Sequence, residues 1–265
     1  MKKALLIVSF GTSHKETRDK TIGEIERFIS KAYPDRELRR AFTSGMIMKV
    51  LKKRDNIHID NVSEAMGRLV KDGFKDILVQ PTHIINGEEY DKMIEQIGPF
   101  VTSFDTISIG KALLSTSEDY EEVCKAIMSE VPQLDVTKNE AVKNETALIL
   151  MGHGTGHFAD AAYAALDYRF KELGYDNVFV GTVEGYPDVD LVIGKVKKYA
   201  PKKVVLMPFM IVAGDHAVND MAGDDEDSWK VMFENAGFEV SCILRGIGEF
   251  LGIQQIYLNH TVDCK

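Results

Sequence analysis

Ala4-Leu-Leu-Ile-Val-Ser-Phe-Gly-Thr-Ser-His14 returns further along the chain as Ala147-Leu-Ile-Leu-Met-Gly-His-Gly-Thr-Gly-His157. Each copy is a short continuous apolar run that ends in a Gly-rich turn. Such a run reads as a strand covered on both faces, which is the habit of parallel sheets flanked by helices. A second echo pairs Pro81 with Pro208 and Gly87 with Gly214. The repeat therefore predicts a duplicated α/β architecture, and the differences between copies locate the chemistry. Phe10 stands where the second copy has His153, Thr43 where it has Glu184, and Glu89 where it has His216.

The surrounding sequence keeps the α/β rhythm. Val62, Ala65, Met66, Leu69 and Val70 recur at helical spacing and predict one apolar helix face. Further strands are expected at Ile77–Val79, Ala147–Met151, Val178–Val183, Lys203–Met207 and Val240–Leu244. The polar stretch Pro132–Thr146 marks a boundary near residue 140, giving an N-terminal half of residues 1–140 and a C-terminal half of residues 141–265. The first copy carries a longer connection between its first and third strands, with the extra residues around Met46–Asp60.

Composition excludes several classes of function. At 265 residues, 45% hydrophobic and 28% charged, the chain can bury a core unaided. The apolar start is too short for a signal-peptide core, and no apolar stretch reaches the roughly 18 residues of a membrane span, so a cytoplasmic protein without membrane insertion is expected. A formal charge of −9 gives no basic footprint for nucleic acid. Cys124, Cys242 and Cys264 form no CxxC pair and suggest neither disulfide nor thiolate metal site. Three Asn-x-Ser/Thr matches, at Asn61, Asn144 and Asn259, are chance in a cytosolic chain. Oligomeric state is left open, a homo-oligomer included.

In parallel α/β sheets, ligands bind where loops converge at the carboxyl ends of the strands. His153, Glu184 and His216 follow three successive strands of the second copy, so each is delivered to the same edge. Two imidazoles and a carboxylate suit cobalt, iron, nickel or zinc, and three protein ligands leave coordination positions open for exchange or catalysis. Gly152, Gly154, Gly185 and Gly214 beside them allow close backbone approach. His83 closes a strand of the first copy and is either a cleft residue or a loop histidine. His14 and His157 are repeat mates with a structural role, and His58 and His260 read as surface residues. Asp224–Asp227 reads as a solvated helix start, and Lys49, Lys52, Lys53 and Arg54 form a compact basic cluster for water or an anionic ligand.

Six motifs, in order, carry a resemblance. Ser9-Phe-Gly-Thr12, Ala41-Phe-Thr-Ser-Gly-Met46, His83-Ile-Ile-Asn-Gly-Glu-Glu-Tyr90, Met151-Gly-His-Gly154, Val183-Glu-Gly-Tyr-Pro187 and Ala213-Gly-Asp-His-Ala-Val-Asn-Asp220 resemble the anaerobic-type sirohydrochlorin cobalt chelatases, the CbiK type of class II chelatase. The resemblance implies two similar α/β domains, each a four-stranded parallel sheet flanked by helices, with a tetrapyrrole-holding cleft between them. It implies a metal-inserting lyase that places Co²⁺ in sirohydrochlorin, or its reduced precursor, during cobalamin synthesis. ATP or another nucleotide is not required, in keeping with the absence of a GxxxxGK[ST] loop. The ion is then held by His153, Glu184 and His216, which are also the catalytic set, with His153 the preferred general base. Phe10, Gly11, Thr12, Ser44, His83 and Glu89 are the expected tetrapyrrole contacts. Lys49 or Arg54 and helix N-termini are expected to meet its carboxylates. Two rival readings use the same ligand types: a mononuclear iron oxygenase, and a non-catalytic carrier of metal or tetrapyrrole.

Overall fold

The computed structural model describes residues 1–139 and 142–262. Two compact units are present. The first comprises Met1–Ser115 together with the chain from Ile253, and the second Thr116–Gly252.

The first unit is built on β1 (Lys2–Ser9), α1 (Lys15–Lys20), α2 (Ile22–Ala32), β2 (Glu37–Phe42), α3 (Gly45–Asp55), α4 (Val62–Lys71), β3 (Phe74–Pro81), α5 (Glu88–Ile97) and β4 (Thr106–Ile109). Its strands form one parallel sheet in the order β2-β1-β3-β4. Ala4–Val8 are fully buried, as the continuous apolar run requires of a central strand. α4 begins with a capping box in which Asn61 accepts from the Glu64 N–H and Glu64 accepts from the Asn61 N–H. Val62, Ala65, Met66 and Leu69 face the core, but Val70 is 39% exposed and leaves the expected stripe. The extra length in the first copy is α3, capped by Ser44, and Lys49, Lys52, Lys53 and Arg54 all lie on its exposed face.

The second unit repeats the plan with α6 (Ser117–Glu130), β5 (Thr146–Gly152), α7 (Ala161–Glu172), β6 (Val178–Thr182), α8 (Val189–Tyr199), β7 (Lys203–Pro208), α9 (Trp229–Asn235) and β8 (Glu239–Cys242). Its parallel sheet runs β6-β5-β7-β8, the same topology as the first. The two sheets carry the expected α/β class, and the predicted strands fall within a few residues of their places. A π-helical turn, His216–Met221, follows β7. The acidic run Asp224–Asp227 precedes α9, whose cap is the Ser228 hydroxyl.

The units do not divide where composition suggests. Residues 140 and 141, the expected boundary, lie outside the described residues, and the division by packing falls on either side of them. α6 precedes the polar stretch yet belongs to the second unit: Arg169 donates to the Ser117 carbonyl, and Arg245 pairs with Glu130 at 3.2 Å. The last helix, α10 (Leu251–Val262), ends on the first unit. There the buried Tyr257 hydroxyl donates to the Thr82 and His83 carbonyls, and Tyr33 bonds Thr261 at 2.8 Å. His260 is buried on this helix beside the Lys111 carbonyl, rather than at the surface. Cys124 is buried and Cys242 half-buried, both free, while Cys264 lies outside the described residues. No helix among the described residues is long and apolar enough to cross a membrane.

Candidate metal centre

β5 ends at Gly152, and the loops that follow it and its two neighbours are laced together by backbone bonds. The Val183 N–H donates to Gly152 O at 3.0 Å, the Glu184 N–H to His153 O at 2.8 Å, and the Phe209 N–H to Met151 O at 2.8 Å. The lacing brings the first residues beyond three strands to one edge. Gly154 has φ +81°, and a Cβ there would lie 2.4 Å from the Gly185 nitrogen, so only glycine lets the two loops close. Beneath them Gly152 rests on the Tyr163 ring, where a Cβ would come within 2.4 Å. Burial pushes the Tyr163 phenol up to about 12, against hydrogen bonds with the backbone of Gly154 and His153 that pull it the other way. It stays a neutral hydroxyl supporting the loop.

His153, Glu184 and His216 meet at this edge. One potential ligand atom from each lies within 4.8 Å of the others. The imidazoles stand edge to face, with centroids 4.6 Å apart and planes at 84°, and Glu184 Oε2 is 3.7 Å from His153 Nδ1. Bonds of about 2.1 Å to a shared ion set ligand atoms roughly 3.4 Å apart in tetrahedral geometry, so small rotamer changes bring the set into range. The side chains are 40%, 59% and 36% exposed, which leaves the site open to solvent and to a second ligand.

The hydrogen-bond partners prepare both imidazoles as ligands. His153 Nδ1 meets the Gly154 carbonyl at 3.0 Å, and His216 Nδ1 meets the Asp220 carboxylate. Both partners accept, so Nδ1 carries the proton and Nε2 presents its lone pair. A carboxylate behind a metal-binding histidine fixes the tautomer and raises basicity. Asp220 was not foreseen from sequence, although its place four residues after His216 on a helical turn is a readable signal.

The equivalent positions of the first unit are chemically different. Phe10 presents 44% of its surface, and Thr43 is half-buried. Glu89 pairs with Lys92 at 2.7 Å; burial alone would raise its carboxyl, but Lys92 and Thr43 outweigh burial and hold it below the usual range. Gly11, with φ +103°, packs its α-carbon against the Phe42 ring. Thr12 is buried and accepts from the His14 N–H, and Ser44 is buried as the cap of α3. These three shape the loop that carries Phe10. His83 is buried with both ring nitrogens unpartnered among the described residues, and burial pushes it down to about 4, with Glu89 pulling the other way. His157 caps the short turn Phe158–Asp160, consistent with a structural role.

One other cluster of ligating types occurs among the described residues, His58, Asp60 and Glu64. Its members are already engaged: His58 with Asp60 at 2.9 Å, Asp60 with Arg68 at 2.8 Å, and Glu64 in the α4 capping box. A guanidinium inside the cluster opposes a cation.

Residues 3–265 match the family described as cobalt chelatase (CbiK). This chain belongs to that family. A sirohydrochlorin cobaltochelatase of Salmonella typhimurium is 42% identical over 260 residues, spanning 98% of this chain and 95% of the relative. Sirohydrochlorin cobaltochelatase CbiKC of Nitratidesulfovibrio vulgaris is 30% identical, spanning 98% and 89%. Among solved structures, SirB from Bacillus subtilis with Fe³⁺ aligns with a TM-score of 0.67 at 17% identity, covering 100% of this chain and 96% of SirB. CbiX, a terminal enzyme of sirohaem biosynthesis in denitrifying bacteria, aligns at 0.56 and 14%, covering 98% of each. At these identities the two structures speak to the fold of a CbiK-family chain, which they share.

Proposed function

We propose that this CbiK-family protein is a sirohydrochlorin cobaltochelatase: a cytoplasmic, ATP-independent lyase that inserts Co²⁺ into sirohydrochlorin, or its reduced precursor, for cobalamin synthesis. The observation that carries the reading is the open His153–Glu184–His216 set at one sheet edge, in a chain whose curated relatives are named for this reaction. Co²⁺ is substrate here, so a site that holds it loosely, through three ligands with free positions, suits the task better than a closed cage.

Insertion exchanges one Co²⁺ for two pyrrole N–H protons. His153, Glu184 and His216 hold the ion and replace part of its hydration shell. A nitrogen bound to metal cannot take a proton, so coordination and deprotonation alternate at His153, or pass to Glu184 and His216 as the ion leaves. The Asp220 carboxylate stabilises His216 in whichever charge state results. Phe10 offers an exposed apolar ring to the macrocycle, on the loop shaped by Gly11, Thr12 and Ser44. His83 and Glu89 are polar groups at the same sheet edge. Lys49, Lys52 and Lys53 supply exposed cations for the carboxylates of an anionic substrate, which an acidic protein must bind locally.

The test is visible spectroscopy of sirohydrochlorin and Co²⁺ with protein at catalytic amount. Turnover beyond stoichiometry is expected, whereas a carrier stops at one equivalent. His153→Ala and His216→Ala are expected to fold and to lose most of the insertion rate. An unchanged rate in either removes that residue from the mechanism.

A further inference from the structure

We propose that Asp160 is a positioning residue that sets the separation of His153 and Glu184 for the incoming divalent ion. The inference rests on the metal reading of the triad. Asp160 contacts neither side chain. Its Oδ1 accepts from the Thr155 N–H at 3.0 Å, and its Oδ2 from the Tyr186 N–H at 2.6 Å. Thr155 lies two residues beyond His153, and Tyr186 two residues beyond Glu184. One carboxylate thus clamps the two ligand-bearing loops at matching points, through charge-assisted bonds stronger than neutral ones.

Two further observations show that the clamp is built into the loops. A Cβ on Gly185, the residue after Glu184, would lie 2.3 Å from Asp160 Oδ1, and its three nearest neighbours are all atoms of the Asp160 carboxylate. The glycine makes room for this carboxylate. Asp160 is the last residue of the turn Phe158–Asp160, which His157 caps and which runs directly into α7, and the Asp160 side chain makes no bond to the helix's own N–H groups. Its acceptors are committed to the loops instead. Together with the Glu184 N–H bond to His153 O, these contacts hold two of the three ligands on one rigid platform, while His216 is oriented separately by Asp220.

Asp160→Ala frees both loop amides to separate. Weakening of Co²⁺ binding by about 10-fold to 100-fold is expected, the range seen when groups that orient metal ligands are removed. Asp160→Asn keeps one acceptor oxygen but turns an NH₂ toward the other N–H, so its loss should be intermediate. Gly185→Ala should also weaken binding by displacing the carboxylate. Combined with Asp160→Ala, it should add little, because the clash partner is gone.

The experiment titrates the full-length protein with Co²⁺ alone, by calorimetry and by the visible d–d bands of the bound ion, beside thermal unfolding and separate KM values for Co²⁺ and sirohydrochlorin. Graded loss of Co²⁺ affinity, altered d–d bands, a raised KM for Co²⁺ and an unchanged KM for sirohydrochlorin support the role. Wild-type affinity and spectrum in Asp160→Ala overturn it, even where the melting temperature falls. Should that variant not fold, wild-type affinity in both Asp160→Asn and Gly185→Ala overturns it equally. His153→Ala separates the two levels: if it too binds Co²⁺ as wild type does, the metal reading fails, and if it alone loses the ion, only the clamp does.

Discussion

Mild acid should destabilise this protein through one buried imidazole. His83 is 8% exposed, has no partner for either ring nitrogen among the described residues, and is pushed by burial down to about 4, with the Glu89 carboxylate nearby pulling it the other way. In the unfolded chain the same group titrates near 6.5. Because the folded value is the lower one, the unfolded chain takes up a proton first as the pH falls. The stability associated with neutral His83 is therefore complete above about pH 6.5, drains away toward pH 4, and changes no further once both states are protonated. A gap of roughly 2.5 units at about 1.36 kcal/mol each gives about 3 kcal/mol as the loss across that window. Urea unfolding of wild type and His83→Leu, measured from about pH 7.5 to 4, gives the comparison. The stability of wild type relative to His83→Leu should fall with acid by about that amount, whichever is the more stable at neutral pH, since leucine has nothing to protonate. Curves that stay parallel throughout would show that His83 titrates alike in both states, and the argument from burial would be refuted.

Two further outcomes follow from the metal site. Asp220→Ala leaves His216 unoriented, and apo-protein calorimetry should show Co²⁺ binding weakened by about 10-fold to 100-fold with little change in melting temperature; unaltered affinity would make the pair incidental. Gly154→Ala must hold alanine at φ +81°, at a cost of about 1–2 kcal/mol, and drive its Cβ against the Gly185 backbone. It should lower the melting temperature by about 2 °C or more and abolish Co²⁺ binding together, and a variant that binds normally would show that the loops need not close.

Much of the candidate site was legible because its signals are local. His153, Glu184 and His216 each stand just beyond an apolar run, and parallel α/β topology sends all such positions to one edge. What local pattern does not encode is what the loops do with their backbone. Asp160 spends its carboxylate on two main-chain amides, a role that leaves no pattern of side-chain types behind. Val70 shows the limit of periodicity: it fits the apolar stripe of α4 by spacing, but five positions span a wider arc than the sheet covers.

The amino-acid sequence alone determined the duplication, the α/β class and the unequal copies, because strand burial and repeat identity are written in consecutive residues. Tertiary packing decided which sheet each helix covers. α6 joins the second unit although it precedes the polar stretch, and the chain from Ile253, which carries most of α10, joins the first. An apolar helix face specifies that it must be buried but not against what; the Tyr257 bonds to the Thr82 and His83 carbonyls, made by residues far apart in the chain, settle that choice.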